Sequence, residues 1–281
     1  MKKLISFVLI ISICVIFSSC AVNKNNVETS EDNSWNKVES KGYLTLGLDD
    51  TFPPMGYKDV ATGEIIGFDV DLAREVCNRL GIGLKLQPID WDNKQIELEN
   101  GNVDCLWNGF SKTPEREEKL NLSIPYMTNK QIILVKKDSE YENLNDLAGK
   151  ILGVQSDSSA EFALKSEKNS DFRKYIKKIV SIDNYSKAVL EIQNNTIDAI
   201  AIDEVVATFY LKNNPDAYRI LQDENGNYIS LENEDYVVAF RKNDDELKEK
   251  INETMVDMAQ SGTMAQISNK WFGEDITVVN K

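Results

Sequence analysis

The chain has 281 residues, of which 32 are basic and 46 are acidic, and its formal net charge is −14. This acidic balance argues against a nucleic-acid partner, because binding nucleic acid requires a basic surface. The absence of histidine removes histidine-based triads, most zinc sites and the commonest general base. No metal-ligand spacing occurs either, so we expect neither a metal nor a cofactor.

The N-terminus is typical of an export signal. Two lysines precede an apolar run from Leu4 to Phe17, and Ser18-Ser19-Cys20 follows. Signal peptides have this order of basic, apolar and small residues, and the apolar run is too short to span a membrane comfortably. The small residues before Cys20 resemble a bacterial lipobox, so we predict a signal peptide over 1–19 and lipidation of Cys20. The alternative is an ordinary cleaved signal with an incidental cysteine.

The segment after the predicted signal is polar. Residues 23–34 contain almost nothing that a folded core could bury, and such composition is typical of flexible linkers. We therefore predict a lipid-anchored tether over residues 20–40. It would hold the folded part on the extracytoplasmic face of a bacterial cell membrane.

Strand and helix patterns alternate in the folded part. The first half predicts strands at 43–48, 84–88 and 103–107, with helices at 69–80 and 96–100 between them. A similar order recurs downstream, with strands at 151–154 and 199–202, a helix start at Ser158 and a helix at 185–194. Alternation of this kind predicts parallel sheets covered by helices.

Two segments match closely, residues 100–105 and residues 194–199, and each leaves a helix, turns and enters an apolar strand. We interpret the match as two α/β lobes of like construction, although helix–turn–strand junctions also share composition by coincidence. Two β-prone segments, 131–136 and 236–240, would cross between the lobes and form a hinge. Lobe 1 is then predicted at 41–130 plus 236–281, with a helical segment at 244–272, and the hinge strand with lobe 2 at 131–235.

Residues 107–116 combine a strand end with a helix start. Thr113 is a predicted N-cap, and Pro114 suits the first helical position because its missing N–H has no partner there. Arg116 lies in that first turn, where its planar guanidinium can bind a carboxylate through two parallel hydrogen bonds. The alternative is a capped surface helix in which Arg116 pairs with Glu115 or another neighbour.

Distinctive side chains follow several predicted strands, and ligands of open parallel sheets bind beyond the carboxyl ends of the strands. In the repeat alignment Asp203 falls opposite Gly109, so both should face one cleft. The ten candidate binding residues are Asp49, Phe52, Trp91, Asn108, Gly109, Ser111, Arg116, Ser158, Ser159 and Asp203.

Five motifs carry a family resemblance. They are residues 67–73 (GFDVDLA), 108–116 (NGFSKTPER), 153–159 (GVQSDSS), 197–204 (IDAIAIDE) and 270–273 (KWFG). In order and spacing they resemble the extracellular solute-binding proteins, family 3, that feed polar amino acids to ABC importers. The resemblance covers residues 43–273. It implies an α/β, two-lobed periplasmic-binding-protein-like (type II) fold with a two-strand hinge.

The resemblance also implies roles for the candidates. Arg116 would bind the α-carboxylate of an amino acid, helped by the Ser111 amide and by Ser159. Asp203 would bind the α-ammonium, together with the Gly109 carbonyl and the Ser111 hydroxyl. A buried arginine and a buried aspartate are each costly without a partner, and a zwitterion between them satisfies both.

Other candidates have competing interpretations. Phe52 and Trp91 would sandwich the ligand side chain, or else pack in a turn and in the core. Asp203 could instead cap the helix that follows it. Asp69 and Asp71 are interpreted as helix-start residues rather than ligand contacts.

The chain departs from the family pattern near the cleft. Asp157 stands where the family often has glycine, and Asn108 and Gly109 replace small hydroxyl residues. Asp49 lies where binders of basic amino acids carry an aspartate, which favours arginine or lysine as ligand. Glutamine or cystine would also fit.

The predicted function is that of a monomeric, membrane-tethered amino-acid receptor that closes on its ligand and delivers it to an ABC transporter permease. The rivals are a dehydratase-like enzyme on the same fold, which the lack of histidine disfavours, and a ligand-sensing subunit. Cys77 and Cys105 are expected as two buried free thiols, with a disulfide as the alternative in an exported protein.

Overall fold

A computed structural model describes residues 32–280 of the chain. The predicted signal peptide, the lipidation of Cys20 and residues 20–31 of the tether lie outside the described residues. The strands are β1 Tyr43–Leu48, β2 Thr51–Phe52, β3 Gly56–Lys58, β4 Ile65–Ile66, β5 Gly83–Pro88, β6 Cys105–Ser111, β7 Asn121–Leu122, β8 Met127–Lys136, β9 Ile151–Gln155, β10 Lys178–Ile182, β11 Ala199–Asp203, β12 Tyr218–Ile220 and β13 Ser230–Phe240. The α-helices are α1 Ser34–Lys41, α2 Phe68–Leu80, α3 Lys94–Glu99, α4 Pro114–Lys119, α5 Ser159–Lys165, α6 Ser170–Tyr175, α7 Tyr185–Gln193, α8 Glu204–Asn213, α9 Asp245–Gln260 and α10 Thr263–Phe272.

One ten-stranded sheet runs through the fold in the order β10-β9-β11-β8-β13-β6-β1-β5, with β12 paired to β8 and β7 paired to β13. β1 pairs in parallel with β5 and β6, and β9 pairs in parallel with β10 and β11. The long strands β8 and β13 lie between these two groups and run antiparallel to their neighbours. We call the half with β5-β1-β6 lobe 1 and the half with β10-β9-β11 lobe 2. The predicted two-lobed α/β fold with two connecting strands is confirmed.

Both connecting strands run through the predicted domain boundaries. β8 begins at Met127 and β13 at Ser230, so each strand extends across the residues at which one lobe was predicted to give way to the other. The point within each strand at which one lobe ends stays a prediction.

The repeated turn has the same backbone conformation in both lobes. Gly101 before β6 has φ 74°, and Asn195 before β11 has φ 59°. Asparagine tolerates this left-handed conformation better than most residues, because its short side chain forms local hydrogen bonds. The match between residues 100–105 and 194–199 is therefore structural, and it sets the direction in which each strand enters the sheet.

Several elements differ from their predicted bounds. β6 continues to Ser111, because its end pairs with the distant β13 (Val237 with Phe110, Tyr236 with Ser111). The C-terminal helical segment divides into α9 and α10 at Gly262, which has φ 76°.

The predicted tether is also too long at its C-terminal end. Residues 34–41 form α1, whose Val38 is buried, and the Ser34 hydroxyl accepts a hydrogen bond from the Leu247 amide. Apolar contact and a hydrogen bond to α9 hold this stretch in the folded part.

The two cysteines of the described residues are free thiols, as predicted. Cys77 on α2 and Cys105 on β6 are both buried. Burial raises the pKa of Cys77 to about 12 and raises that of Cys105 too, so neither forms a thiolate near neutral pH.

Within residues 32–280 there is no cluster of acidic or cysteine side chains that could hold a metal ion. None of the helices in this range is long and apolar enough to cross a membrane.

Candidate functional site

All ten predicted binding residues are buried. Asp49, Phe52, Trp91, Asn108, Gly109, Ser111 and Arg116 belong to lobe 1, and Ser158, Ser159 and Asp203 belong to lobe 2. They lie in the last residues of β2, β6 and β11, shortly after the ends of β1, β5 and β9, or in the first turns of α4 and α5.

The start of α4 has the predicted capped geometry. The Thr113 hydroxyl accepts a hydrogen bond from the Arg116 amide at 3.3 Å, and Pro114 is the first residue of the helix. Glu115 pairs with Lys119 at 2.6 Å rather than with Arg116. The interpretation of Arg116 as one half of a surface ion pair is therefore wrong, because its side chain is turned inward and buried.

The Arg116 guanidinium reaches both lobes. Nη1 donates to the Ser111 carbonyl at 2.8 Å, and Nη2 donates across the cleft to the Asp157 carbonyl at 3.3 Å. The group stacks on the Phe110 ring at 4.3 Å from the ring centroid, a cation–π contact that orients the plane of the guanidinium. Burial lowers the pKa of Arg116, and nearby carboxylates, Glu234 foremost, oppose that shift. A guanidinium remains charged under such conditions.

Asp203 ends β11 and turns its side chain into the cluster. Its Oδ1 accepts hydrogen bonds from Asn129 Nδ2 at 2.8 Å, Gln131 Nε2 at 2.7 Å and the Tyr236 hydroxyl at 2.6 Å. Asp203 is at the N-cap position of α8 but forms no side-chain capping bond, so the helix-cap interpretation is wrong. Burial and the nearby Glu234 raise the pKa of Asp203 to about 7.

The two neighbouring serines of lobe 2 have different contacts. The Ser158 hydroxyl accepts a hydrogen bond from the Glu161 amide at 3.2 Å and caps α5, as predicted. The Ser159 hydroxyl instead reaches across to the Ser111 hydroxyl at 2.9 Å. Ser159 therefore joins the central cluster through its side chain, whereas the Ser158 side chain serves the helix start.

Gly109 has no room for a side chain. Its φ is +58°, and a Cβ atom there would lie 2.8 Å from the Phe52 ring and 3.1 Å from Tyr236. Its amide donates to Asp69 Oδ2 at 2.7 Å, and the Tyr126 hydroxyl donates to the same oxygen at 3.0 Å.

Asp69 lies in the first turn of α2, as predicted, but its carboxyl group points into the core. Burial raises the pKa of Asp69 to about 7. Through the Gly109 amide, Asp69 positions the loop at the cleft floor, a role that helix-start reasoning did not foresee.

Asp49 and Asn108 have protein partners. Asn108 Oδ1 accepts from the Asp49 amide at 3.0 Å. Asp49 Oδ1 accepts from the Thr51 hydroxyl at 2.6 Å, and Oδ2 accepts from Gln155 Nε2 of lobe 2 at 2.8 Å. Burial raises the pKa of Asp49. Its carboxylate is thus already well supplied with donors.

The two aromatic residues among the predicted binding residues belong to separate ring pairs. Phe52 packs on Tyr185 of lobe 2 with ring centroids 5.8 Å apart, and Trp91 packs on Phe110 at 6.1 Å. The Lys94 ammonium lies 5.0 Å from the Trp91 ring centroid. Whether Phe52 and Trp91 hold a ligand between them stays a prediction.

The sequence reasoning missed several residues of the cluster, among them Tyr236, which donates to Asp203. Asn129, Gln131 and Glu234 lie on the connecting strands β8 and β13, where an alternating polar residue resembles a solvent-facing position. Lys94 is buried on α3 and forms an ion pair with Asp157 of lobe 2. Asp157 stands where the family often has glycine, and its φ is 54°. This departure was the one feature of the sequence that pointed to the ion pair with Lys94.

A groove of about 920 Å³ lies beside this cluster and is lined by both lobes, and none of the ten predicted residues lines it. Its walls include Lys112, Phe209 and Trp271, and it meets the cluster at Asn129 and Glu234. The groove therefore adjoins the cluster at the connecting strands and contains none of the ten predicted residues.

Comparison with known proteins finds relatives over nearly the whole chain. The chain is 29% identical to the L-cystine-binding protein TcyA of Bacillus subtilis (98% of this chain, 99% of the relative). It is 30% identical to the arginine-binding extracellular protein ArtP of the same organism (97% and 98%). A solved ABC uptake transporter substrate-binding protein from Streptococcus pneumoniae with bound histidine superposes with a TM-score of 0.83, at 37% identity, over 89% of this chain and 100% of that one.

The family model of the bacterial extracellular solute-binding proteins, family 3, matches residues 44–274. This match spans both lobes and every residue of the cluster described above. The chain therefore belongs to family 3 of the bacterial extracellular solute-binding proteins.

Proposed function

We propose that the protein is a high-affinity extracytoplasmic receptor that closes its lobes on a polar or basic amino acid and delivers it to an ABC importer. The observation that carries this proposal is one buried cluster that contains the Arg116 guanidinium of lobe 1 and the Asp203 carboxylate of lobe 2. Hydrogen bonds of Ser111, Ser159 and Gln131 link the two groups. A zwitterion supplies a carboxylate for the first group and an ammonium for the second, so it satisfies both buried charges at once.

Closure follows from where the binding groups lie. Arg116, Ser111 and Gly109 are on lobe 1, whereas Ser159 and Asp203 are on lobe 2. A ligand bound to lobe 1 gains its remaining hydrogen-bond and charge partners only when lobe 2 closes over it. Better contacts in the closed state shift the equilibrium toward closure.

The ligand side chain is proposed to be that of arginine or lysine, on the ground of Asp49, with glutamine or cystine as alternatives. Relatives named above bind cystine, arginine or histidine. A cationic side chain would have to share Asp49 with Gln155, which donates to it at 2.8 Å. Asp49→Asn should therefore weaken arginine binding by about tenfold or more and leave cystine binding nearly unchanged.

Isothermal titration calorimetry against the twenty amino acids, cystine and ornithine tests the function. We expect one of them to bind with a dissociation constant in the micromolar range or below. Arg116→Met should abolish that binding, and Lys119→Met on the exposed side of the same helix should not. Absence of binding at millimolar concentration would refute the proposal.

An enzyme on the same fold is the second candidate. Asp203, whose pKa is raised to about 7, is an acid able to exchange a proton near neutral pH. In the proposed receptor that acid is engaged by the ligand ammonium, and relatives with assigned functions are binding proteins. Turnover of a cyclic carboxylate by the purified protein would show that the protein is an enzyme rather than a receptor.

We also propose that the receptor is a monomer anchored by lipid on Cys20. Cys20→Ala should move the protein from the membrane fraction to the soluble fraction with unchanged ligand affinity. A ligand-sensing role would instead appear as binding without any contribution to uptake when the gene is deleted.

A further inference from the structure

A second buried carboxylate lies in the same cluster as Asp203. Glu234 is on β13, and its residue is 8% exposed. Its Oε2 accepts hydrogen bonds from the Ser111 hydroxyl at 2.7 Å, the Ser159 hydroxyl at 3.1 Å and Gln131 Nε2 at 3.0 Å. These donors come from β6, α5 and β8, so Glu234 is held at the junction of both lobes and the hinge.

Glu234 and Asp203 share their amide donors. Gln131 Nε2 lies 2.7 Å from Asp203 Oδ1 and 3.0 Å from Glu234 Oε2. Asn129 Nδ2 lies 2.8 Å and 3.4 Å from the same two oxygens. Two buried carboxylates that hold the same N–H groups repel each other strongly when both are ionised.

The charged and titratable groups that face this pair come from three other positions. They are Arg116 on α4, Tyr185 on α7 and Tyr236 on β13. Of these three, only Arg116 is a cation, and its Nη1 and Nη2 donate to backbone carbonyls. When both carboxylates are ionised, the ligand-free pair therefore carries two negative charges, and Arg116 supplies one positive charge to balance them.

Two further acceptors at the pair lack a donor. Gln131 Oε1 and Asn129 Oδ1 are buried without a hydrogen-bond partner among the described residues. An ammonium group carries three N–H donors and one positive charge. Carboxylate and amide oxygens at this point match the donors and the charge of such a group.

We propose that Glu234 and Asp203 together form the ammonium subsite, and that the ligand-free pair holds one proton that the entering ammonium displaces. The proposal rests on the amino-acid-binding function and deepens it. The proton bound between the carboxylates leaves to solvent, and the ammonium N–H groups take over its hydrogen bonds. The positive charge of the ammonium replaces that of the proton at the two carboxylates, while the ligand carboxylate pairs with Arg116. The raised pKa of Asp203, about 7 with Glu234 among its causes, agrees with a shared proton.

Proton competition determines the pH dependence. Below about pH 7 Asp203 is protonated and the ligand must displace that proton, so affinity should rise up to tenfold per pH unit and level off above pH 7. In Glu234→Gln the repelling charge is gone, the pKa of Asp203 falls, and the affinity should become nearly independent of pH between 6 and 8. Glu232→Gln is the matched control, because Glu232 lies on the same strand but is half-exposed and pairs with Lys168.

Two measurements test the proposal. Carbon-13 NMR of labelled carboxyl groups in the ligand-free protein should show a coupled titration near pH 7, present in wild type and in Glu232→Gln and absent from Glu234→Gln. Calorimetry at pH 6.5 in phosphate and in Bis-Tris, whose ionisation enthalpies differ, should show release of more than half a proton per amino acid bound by wild type and almost none by Glu234→Gln.

The outcomes separate this proposal from the proposed function. If the ligand-free protein shows no coupled titration, the hypothesis of a shared proton is overturned, whichever ligand the protein binds. Amino-acid binding by wild type without proton release overturns the displacement. If the coupled titration is present but no amino acid binds, the receptor function is refuted. Methylammonium then tests the ammonium subsite alone. Proton release on its addition supports the subsite, and absence of release overturns it.

Discussion

Arg116 and Asp203 are charged side chains that the fold withdraws from water. Such groups stay ionised only where hydrogen bonds or opposite charges replace hydration. Arg116 has two carbonyls and the Phe110 ring, and Asp203 has Asn129, Gln131 and Tyr236. In these contacts neither side chain has an oppositely charged partner at salt-bridge distance. A zwitterionic ligand would supply such a partner to each of them.

Arg116→Lys should weaken amino-acid binding about 100-fold, or ~3 kcal/mol. Lysine keeps the charge but lacks the planar fork that binds a carboxylate with two bonds, and it loses the stack on Phe110. Calorimetry measures the change, with Lys119→Met as the control on the exposed face of α4. Wild-type affinity in Arg116→Lys would show that the carboxylate binds elsewhere.

Asp203→Asn should raise the melting temperature of the ligand-free protein more at pH 8 than at pH 5. The pKa of Asp203 is raised from 3.8 to about 7 on folding. Its protonated form therefore contributes stability that is fully present below pH 3.8 and is lost as the pH rises through 7. Calorimetric scans at both pH values test this, with Asp138→Asn at an exposed carboxylate as control. An equal shift at both pH values would contradict it.

At the scale of elements, the connecting strands do more than join the lobes. β8 presents Asn129 and Gln131, and β13 presents Glu234 and Tyr236, to a cluster whose other members come from the strand ends of each lobe. Side chains on a hinge change their surroundings when the hinge bends. The hinge pair of strands is thus part of the binding site itself.

A second inter-lobe element is the turn before α5. Asp157 has φ 54°, a conformation that costs a residue with a side chain about 1 kcal/mol. In return its carboxylate pairs with the buried Lys94 of lobe 1, and its carbonyl accepts from Arg116. Burial, with Arg116 nearby, lowers the pKa of Lys94 to about 8, so the pair weakens as the pH rises above 8.

Lys94→Met should speed ligand dissociation about fivefold to tenfold, because closure loses an ion pair across the cleft. Asp157→Gly should have a smaller effect, since relief of backbone strain offsets the lost pair. The double variant should resemble Asp157→Gly alone, because it loses the same pair once and gains the same relief. Stopped-flow dissociation rates complete this double-mutant cycle. The exposed pair of Lys112 and Glu117 within lobe 1 supplies the control, Lys112→Met. Additive effects of the two changes would contradict the inter-lobe pair.

For residues 32–280 as a whole, contacts across the cleft describe a closed arrangement. Ser111 meets Ser159, Asp49 meets Gln155, and Phe52 meets Tyr185, each pair joining lobe 1 to lobe 2. Many of these contacts are polar, and water can replace them when the cleft opens. The balance between open and closed states should therefore be sensitive to a ligand that adds charged contacts.

Ligand should compact and stabilise the whole molecule. We expect a smaller radius of gyration in solution scattering with ligand than without it, together with a stabilisation of about 2.7 kcal/mol at a ligand concentration 100 times the dissociation constant. Asp203→Asn should show neither response. An unchanged radius of gyration with clear binding would mean that the ligand enters an already closed cleft.

Local sequence patterns were enough to predict the alternation of strands and helices, the capped starts of α4 and α5, and the repeated turns at Gly101 and Asn195. These features depend on local propensities, on caps within a few residues and on motif order. The structure was needed to show that Arg116 and Asp203 are buried, that Glu234, Gln131 and Asn129 meet Asp203, that Lys94 pairs with Asp157, and that Asp69 holds Gly109. Those partners are separated in sequence by tens of residues, and their pairing depends on strand register and lobe packing, which local patterns do not specify.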